Sequence, residues 1–577
     1  MKKIIFILIF AFPFTANCQI INIPGDYSSI QEGIDVASDD DTVLVHPGTY
    51  YEHLNWSNKT ITLASLFLTT GDTNYISTTI IDGEASGRVL FIDGAYEEGK
   101  LCGFTIQNGW ESAESGAGLR LQNSFLQISD MHIKNCYAVR GGGIFAELSV
   151  LNLSNVEIAD NISSERGGGI MVQNTDVIME NCNLSENTSQ MGAAMYYYIN
   201  GLDSLFYFAN MSSCIFADNF AEYQTAGLFM RREGSNNEVN VSMIECEFLN
   251  NAAASNGALQ IRGDSLSFIL ENCSFLDNTV SDYTAGAAFL AGCFGEVINC
   301  LICSNIANTS GGDWNGGGFT VWGIGTEVSI LNSTFADNDA GYGDGITIGP
   351  GAIAYATNSI FWNNSDQPFA LIDNETTGAE MYIDYCDVQY GIDSVRVDPY
   401  SSFTWGEHNV DMDPMFLGSG GPYDPYQLTK ASICIDNGTP DTTGMNIPPY
   451  DLMGNVRVWD GGSGTAIIDM GAYEFGAPVW VGIDDQEHIP EVIGMNMKVY
   501  PNPCRGNANL SFENDEAQRV VTNIFSIRGE RVMQMMDETL PSGLIKTNIP
   551  LSDLPPGIYL IRISTPDQMN IQKLIVL

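Results

Sequence analysis

Basic residues are scarce in this sequence, which has 23 Lys and Arg against 70 Asp and Glu in 577 residues. A surface this negative repels phosphate groups, so nucleic acids and anionic membranes are excluded as binding partners. Charged residues of both signs make up only 16%, while 44% of residues are hydrophobic. These proportions exclude a disordered chain and a charged coiled coil. The chain is also too long for one ordinary compact core, so several domains or a stack of repeats is expected.

Long hydrophobic runs are also absent, apart from Ile4–Phe14, which is too short to span a bilayer. This run follows two lysines and leads to Ala16-Asn17-Cys18, which fits a cleavage site before Gln19. Residues 1–18 are therefore predicted to be a secretory signal peptide. An alternative interpretation makes Cys18 the lipidated residue of a lipoprotein. No transmembrane segment is expected after the signal is removed.

The middle of the chain repeats a short phrase, an apolar residue followed by two variable residues and Asn. The Asn position recurs every 25 to 33 residues, at Asn161, Asn187, Asn219, Asn251, Asn278, Asn305, Asn338 and Asn364, with Gly109, Cys136 and Gly391 in weaker copies. A second phrase of small residues and an apolar residue, such as Gly141-Gly142-Gly143-Ile144, lies between the copies. A period of this length, divided by Gly and Asn, predicts one turn of a parallel β-helix.

Stacked coils place equivalent residues in columns about 4.8 Å apart, so the eight asparagines are predicted to form a hydrogen-bonded ladder. A second column is predicted five residues before the Asn position, at Cys182, Cys214, Cys246, Cys273, Cys300 and Cys386. An exported protein invites disulfides, but parallel strands point their Cβ atoms the same way, which suits disulfide torsions poorly. Buried free thiols are the preferred interpretation. Metal binding is disfavoured, since the chain has five histidines and none beside this column.

The segment Tyr27–Ala37 predicts a short amphipathic helix before the strand and turn of Asp41–Tyr50. This opening resembles that of pectin-lyase-like right-handed β-helices, in which such a helix plugs the first coil. The predicted fold class is all-β, a right-handed parallel β-helix (solenoid) followed by a small C-terminal β-sandwich. Its predicted parts are a cap with the first coils (19–100), the repeats (101–395), the C-terminal end of the β-helix (396–475), a linker (476–494) and a separate C-terminal domain (495–577).

The C-terminal domain is set apart by its charge and its motifs. Residues 496–577 have 8 basic and 8 acidic residues, which leaves residues 19–495 with a net charge of −49. Tyr500-Pro501-Asn502-Pro503, Gly557-Ile558-Tyr559 and the final Lys573–Leu577 resemble the type IX secretion C-terminal sorting domain. The resemblance implies that residues 495–577 engage the type IX secretion machinery. It also implies localisation outside the cell or on the outer-membrane surface.

Candidate catalytic residues are few. Pectate-lyase-type chemistry needs calcium-binding carboxylates beside a Lys or Arg base. The closest candidates are Arg140 and Arg166, which precede glycine triplets 26 residues apart and are expected in adjacent coils. The alternative is that both arginines are solvated surface residues. No His-Gly step of the polygalacturonase type occurs. The acidic surface suggests weak calcium binding, but no Asp-x-Asp-x-Asp-Gly loop is present.

Binding without catalysis is the leading functional hypothesis. The paired small-residue and Phe-x-x-Asn phrases over residues 116–364 resemble the repeats of polymorphic outer-membrane adhesins. Tyr196, Tyr197 and Tyr198 are candidates for a sugar-binding platform, although strand alternation favours core packing for some of them. The sequence thus predicts a secreted or surface-anchored module that binds polysaccharides or cell-surface glycans. The alternative is a polysaccharide lyase or glycoside hydrolase with a pectate-lyase-like fold.

Overall fold

The structure, a computed structural model, describes most of the chain. The described residues are 18–95, 99–200, 207–234, 239–308, 315–364, 367–418, 425–460, 464–479, 497–500, 504, 507–514, 518–526, 531–551, 554, 557–564 and 569–576. Residues 1–17 of the predicted signal peptide, residues 480–494 of the predicted linker, and Pro501, Asn502 and Pro503 lie outside this set.

Each full coil passes through four strand positions, named here faces A, B, C and D in the order that the chain visits them. Face A comprises Leu54–Ser57, Leu90–Asp93, Leu119–Gln122, Ile144–Glu147, Ile170–Gln173, Met195–Ile199, Leu228–Arg232, the first parts of Leu259–Glu271 and Ala288–Ile298, Phe319–Trp322, Ile346–Ile348, Phe369–Leu371 and Arg396–Val397. Face B comprises Ile20–Ile23, Thr42–Val45, Thr62–Ser65, Gly99–Cys102, the first parts of Phe125–Lys134 and Val150–Ala159, Asp176–Glu180, Tyr207–Ser212, Val239–Ile244, the second parts of Leu259–Glu271 and Ala288–Ile298, Glu327–Leu331, Ile353–Thr357, Glu380–Asp384 and Ser402–Trp405.

Face C comprises Gly48–Tyr51, Thr79–Asp82, Thr105–Gln107, the second parts of Phe125–Lys134 and Val150–Ala159, Asn183–Ser185, Ile215–Ala217, Glu247–Leu249, Ser274–Leu276, Leu301–Cys303, Thr334–Ala336, Ile360–Trp362 and Asp387–Val388. Face D comprises Trp110–Ser115, Tyr137–Arg140, Ile162–Arg166, Thr188–Met191, Phe220–Gln224, Ala252–Ser255, Thr279–Tyr283 and Ile306–Ala307. Strands of successive coils pair in parallel on every face, for example Ile158 with Leu184 on face C. The predicted all-β parallel β-helix is confirmed.

The corners of the coil use left-handed backbone conformations. The residue before the Cys column and the residue before the Asn column both have positive φ, as Asn181 (53°) and Glu186 (55°) do in one coil. At the corner from face D to face A, Gly141 has a φ of 60°, and a Cβ there would lie 2.2 Å from the Ile144 carbonyl oxygen. Glycine removes this clash. Thr225 occupies the equivalent corner position in a later coil and also has a positive φ (52°).

One hydrophobic core runs along the inside of the solenoid, from Ile21 to Val388. Alternate residues of each strand point inward, so each coil adds a layer to the same core. Phe216, Phe248 and Phe275 stack through three coils, with both ring-centroid distances 4.7 Å. The core therefore grows with the number of coils, which explains how a chain of this length buries its apolar residues.

A short helix covers the N-terminal end of the solenoid. This helix, α1 (Ile30–Val36), begins with a capping box between Ser29 and Glu32 and buries Ile30, Gly33 and Ile34. Two further short helices, α2 (Phe67–Thr70) and α3 (Asn74–Thr78), lie between face B and face C of one coil, and a 3-10 helix spans Gly391–Ser394. The helix predicted within Tyr27–Ala37 is therefore present. It covers the end of the hydrophobic core in the first coil, which would otherwise be exposed to solvent.

The chain after the last coil folds back along the outside of face C. Leu301, Cys303 and Ala336, which point outward from face C, are buried against Ala472 and Tyr473. A second cluster packs Ile360 against Leu428, Cys434 and Met470. The described residues 425–460 and 464–475, called here the strap, thus cover the outer surface of face C in the last coils.

The C-terminal domain contains two antiparallel sheets. One pairs Met497–Tyr500, Asn507–Asn514 and Gly543–Pro550, and the other pairs Arg531–Leu540, Gln518–Ser526, Gly557–Ser564 and Met569–Val576. Residues of both sheets share one core that includes Leu510, Phe512, Ile524, Ile561 and Leu574. A shared core between two sheets is what the predicted β-sandwich requires.

Candidate functional site

The eight predicted asparagines form a continuous buried column at the corner between faces C and D. Seven side-chain hydrogen bonds link Nδ2 of each Asn to Oδ1 of the Asn in the next coil, with distances from 2.9 to 3.2 Å. The same Oδ1 accepts the backbone N–H of the preceding Asn, as Asn187 Oδ1 does from Asn161 at 3.0 Å. Each Nδ2 also donates to a carbonyl of the preceding coil, such as Ile133 O at 2.9 Å. Cys136 occupies the column before Asn161, and its thiol accepts the Gly109 N–H.

The predicted cysteines lie in a second buried column at the corner between faces B and C. All six are free and buried. Each thiol donates to the carbonyl oxygen two residues earlier, as Cys182 does to Glu180 at 3.4 Å. Burial raises the pKa of Cys386 to about 12 and that of Cys273 well above its usual value. Ser333 and Ser359 occupy the column between Cys300 and Cys386, and hydrogen bonds run from Cys300 N to Ser333 Oγ and from Ser333 N to Ser359 Oγ.

Arg140 and Arg166 lie in adjacent coils at the end of face D, as their spacing predicts, and pair in register. The Arg140 Nε donates to Glu165 at 2.9 Å, in an ion pair whose side chains are both more than 40% exposed. The Arg166 guanidinium lies 5.1 Å from the ring centroid of Tyr196. Both cations are therefore engaged with neighbouring side chains of the surface, through an ion pair and a cation–π contact.

The predicted tyrosine platform is mostly inside the protein. Tyr197 points into the main core, and Tyr196 is covered by Phe145, Met171 and Phe229 in a cluster on the outer side of face A. Both rings are 0% exposed. Tyr198 is half-buried, and its hydroxyl donates to Glu233. Tyr196 and Tyr197 therefore offer no surface to a sugar, while strand alternation accounts for the inward ring.

An exposed apolar column on face D is a feature that the sequence reasoning missed. The residue directly after each Asn position points outward, and the register aligns Trp110, Tyr137, Ile162, Thr188, Phe220, Ala252, Thr279 and Ile306. Trp110 and Ile162 are each 46% exposed and Phe220 is 52% exposed. The rings of Trp110 and Tyr137 stack with 4.4 Å between centroids. The sequence did contain the information, because side chains alternate along a strand and the residue after an inward Asn must therefore point outward.

A buried charge network in the strap was also missed. Arg457 and Glu474 are almost completely buried, and Arg457 Nη1 lies 3.6 Å from Glu474 Oε2. The carboxylates of Asp451 and Asp469 are buried beside this pair. The carboxylates accept backbone N–H groups, including Glu474 N to Asp451 at 2.8 Å and Phe475 N to Asp469 at 2.7 Å. Burial raises the pKa values of Asp469 and Glu474, and Arg457 opposes this rise. The network holds the strap together and faces no open surface.

The described residues contain no group of three or more His, Cys, Asp or Glu side chains arranged to hold a metal ion. In the same part of the chain, no helix is long and apolar enough to cross a membrane.

Comparison with known families identifies the C-terminal domain. Residues 498–577 match the family described as the secretion system C-terminal sorting domain. No curated protein matches the chain. The match covers the segment whose motifs resemble that domain, and its two antiparallel sheets are separate from the solenoid sheets. Residues 498–577 are therefore a type IX secretion sorting domain, and the protein is exported by that system to the cell surface or the extracellular space.

Proposed function

We propose that the solenoid is a non-catalytic, adhesin-like module that binds glycans outside the cell. The observation that carries this proposal is face D, a parallel sheet whose outward column is apolar from Trp110 to Phe220 apart from Thr188, with Trp110, Ile162 and Phe220 exposed. Exposed apolar patches on a soluble protein are typical of interaction surfaces. The polar residues that repeat, in the Asn and Cys columns, are buried and serve the coils themselves.

The arrangement around Arg140 and Arg166 favours binding over catalysis. A lyase or hydrolase needs carboxylates and a base that converge on one substrate position. Arg140 is instead paired with Glu165, and Arg166 packs on the Tyr196 ring. Both arginines therefore serve, in this proposal, as surface residues that hold neighbouring coils together.

The proposal is tested by incubating the exported protein with a panel of polysaccharides, with and without a chelator. Retention on a polysaccharide with no release of reducing or unsaturated ends is the expected result. Release of either product would replace this proposal with the alternative of a polysaccharide hydrolase or lyase. Absence of binding to every polysaccharide in the panel would contradict both.

A further inference from the structure

Face D of this acidic molecule carries a column of outward residues, called here the ridge, that runs from Trp110 to Ile306 and is most apolar between Trp110 and Phe220. Trp110 and Tyr137 stack on each other along the solenoid axis, and Ile162 continues the column in the next coil. Phe220 follows two coils later, between the smaller Thr188 and Ala252. At the parallel-strand spacing of about 4.8 Å, the four steps from Trp110 to Phe220 span roughly 19 Å. The ridge is therefore long enough to contact several units of a polymer that lies along the axis.

The ridge has no charge in any of its eight coils. The column that begins at Trp110 and ends at Ile306 contains no Asp, Glu, Lys, Arg or His. The next outward residues of three neighbouring coils, Val139, Ser164 and Gln190, are also uncharged, whereas Glu222 takes this place beside Phe220. Residues 19–495 as a whole have a net charge of −49. An uncharged strip on such a molecule selects for a partner that is itself uncharged.

We propose that this ridge binds a neutral, unbranched β-linked polysaccharide laid along the solenoid axis. The inference rests on the proposed glycan-binding function and names its site and ligand class. Pyranose rings in such polymers present broad faces of C–H groups, which bury apolar surface against aromatic and aliphatic side chains. Trp110, Tyr137 and Phe220 supply most of the contact area, and aromatic side chains of this kind commonly dominate binding energy.

The negative charge of the molecule argues against other partners that could cover this apolar surface. Polyuronates and sulfated glycans are repelled by the surrounding acidic surface, as is an anionic membrane. A second copy of this chain would bring together two molecules that each have a net charge of −47. Repulsion between two such molecules opposes self-association at low salt. A neutral polymer experiences neither of these electrostatic repulsions.

The test measures binding of the exported protein to insoluble β-glucan, to chitin and to a polyuronate gel. The variants are Trp110→Ala with Tyr137→Ala, and separately Phe220→Ala. Phe294→Ala is the matched control, because Phe294 is 50% exposed on a strand of face B. We expect the face D variants to weaken binding to a neutral polymer about tenfold or more, and the control to leave it unchanged. Binding should be insensitive to salt, since no ion pair is involved.

The outcomes separate this inference from the proposed function. Unchanged binding in correctly folded face D variants, checked by circular dichroism and thermal melting, would overturn the site and leave glycan binding intact. A preference for the polyuronate gel would overturn the ligand class. Absence of binding to every glycan would overturn both proposals. Concentration-dependent dimers that the double variant Trp110→Ala with Tyr137→Ala abolishes would assign the ridge to self-association, against the inference. Phe220→Ala keeps the test decisive if the double variant fails to fold.

Discussion

The Asn column shows how one residue type satisfies buried polar groups along the solenoid. The Asn219 side chain accepts two hydrogen bonds from Asn187, from its backbone N at 3.0 Å and from its Nδ2 at 3.2 Å. It donates to the Leu184 carbonyl at 2.9 Å and to Asn251 Oδ1 at 3.0 Å. Every coil thus depends on both of its neighbours for the partners of its buried polar groups.

Replacing Asn219 with Ala is expected to destabilise the solenoid by about 3 kcal/mol, because two buried donors on Asn187 lose their acceptor and the Leu184 carbonyl loses its donor. Urea unfolding measures the loss, and hydrogen exchange localises it to the adjacent coils. Asn152→Ala is the control, since Asn152 points outward on its strand and should change stability by less than about 0.5 kcal/mol. Equal effects of the two variants would contradict a structural role for the column.

Burial of the cysteines determines how their thiols react. Twelve of the thirteen cysteines are buried, and only Cys18 is exposed. Burial raises the pKa of Cys136 and of Cys293 to about 12, so these thiols stay protonated at neutral pH. Because the thiolate is the reactive form, alkylating reagents should label none of the twelve in the native protein.

The same reagents should label all twelve thiols once the protein is unfolded in denaturant without reductant. Intact mass before and after labelling counts them. A smaller count in the denatured protein would reveal disulfides and would contradict the ladder of free thiols.

At the scale of elements, the repeated parts of the fold were predictable from sequence and the strap was not. The period of the Asn phrase fixes the length of a coil, so Asn161 to Asn364 identify both the solenoid and the inward side of one corner. Strand alternation then places Phe220 outward, directly after Asn219. The strap lacks a period. Its packing depends on contacts far apart in sequence, such as the hydrogen bond from Asn332 Nδ2 to the Asp469 carbonyl.

The contact between the strap and the last coils should weaken as pH rises. Burial raises the pKa of Asp387 to about 7, although hydrogen bonds from Met412 N and the Cys434 thiol oppose the rise. The carboxyl binds a proton more tightly in the folded state than in the unfolded state. Its contribution to stability is therefore complete below about pH 4 and is lost as pH rises through about 7.

Asp387→Asn should make the protein more stable than the parent at about pH 8, with the difference vanishing near pH 4, because the amide stays neutral throughout. Thermal melting across this range measures the effect, whose upper bound is about 4 kcal/mol for a rise of about three pKa units. Asp393→Asn removes the same charge from an exposed position and is the control. A parallel pH response of both variants would show that general charge repulsion, and not the buried carboxyl, governs the trend.

For the whole molecule, the distribution of charge follows the division between exported solenoid and sorting domain. The sorting domain has equal numbers of acidic and basic residues, whereas residues 19–495 have 62 acidic and 13 basic ones. Many acidic residues lie on the surface of one rod, so they repel one another and oppose the compact state. Any cation that screens this repulsion therefore stabilises the fold, without needing a specific binding site.

The response of the melting temperature to different cations separates charge screening from specific calcium binding. If the acidity acts only through repulsion, the melting temperature of the exported protein should rise with NaCl, and Ca²⁺ and Mg²⁺ at equal concentration should raise it equally. A calcium site of oxygen ligands would instead stabilise through mass action, with an effect that saturates and that Mg²⁺ does not reproduce. We expect equal effects of the two ions, because the described residues contain no group of three or more His, Cys, Asp or Glu side chains arranged to hold a metal ion. A saturating, calcium-specific rise in melting temperature would contradict this expectation and would place a metal ion in the structure.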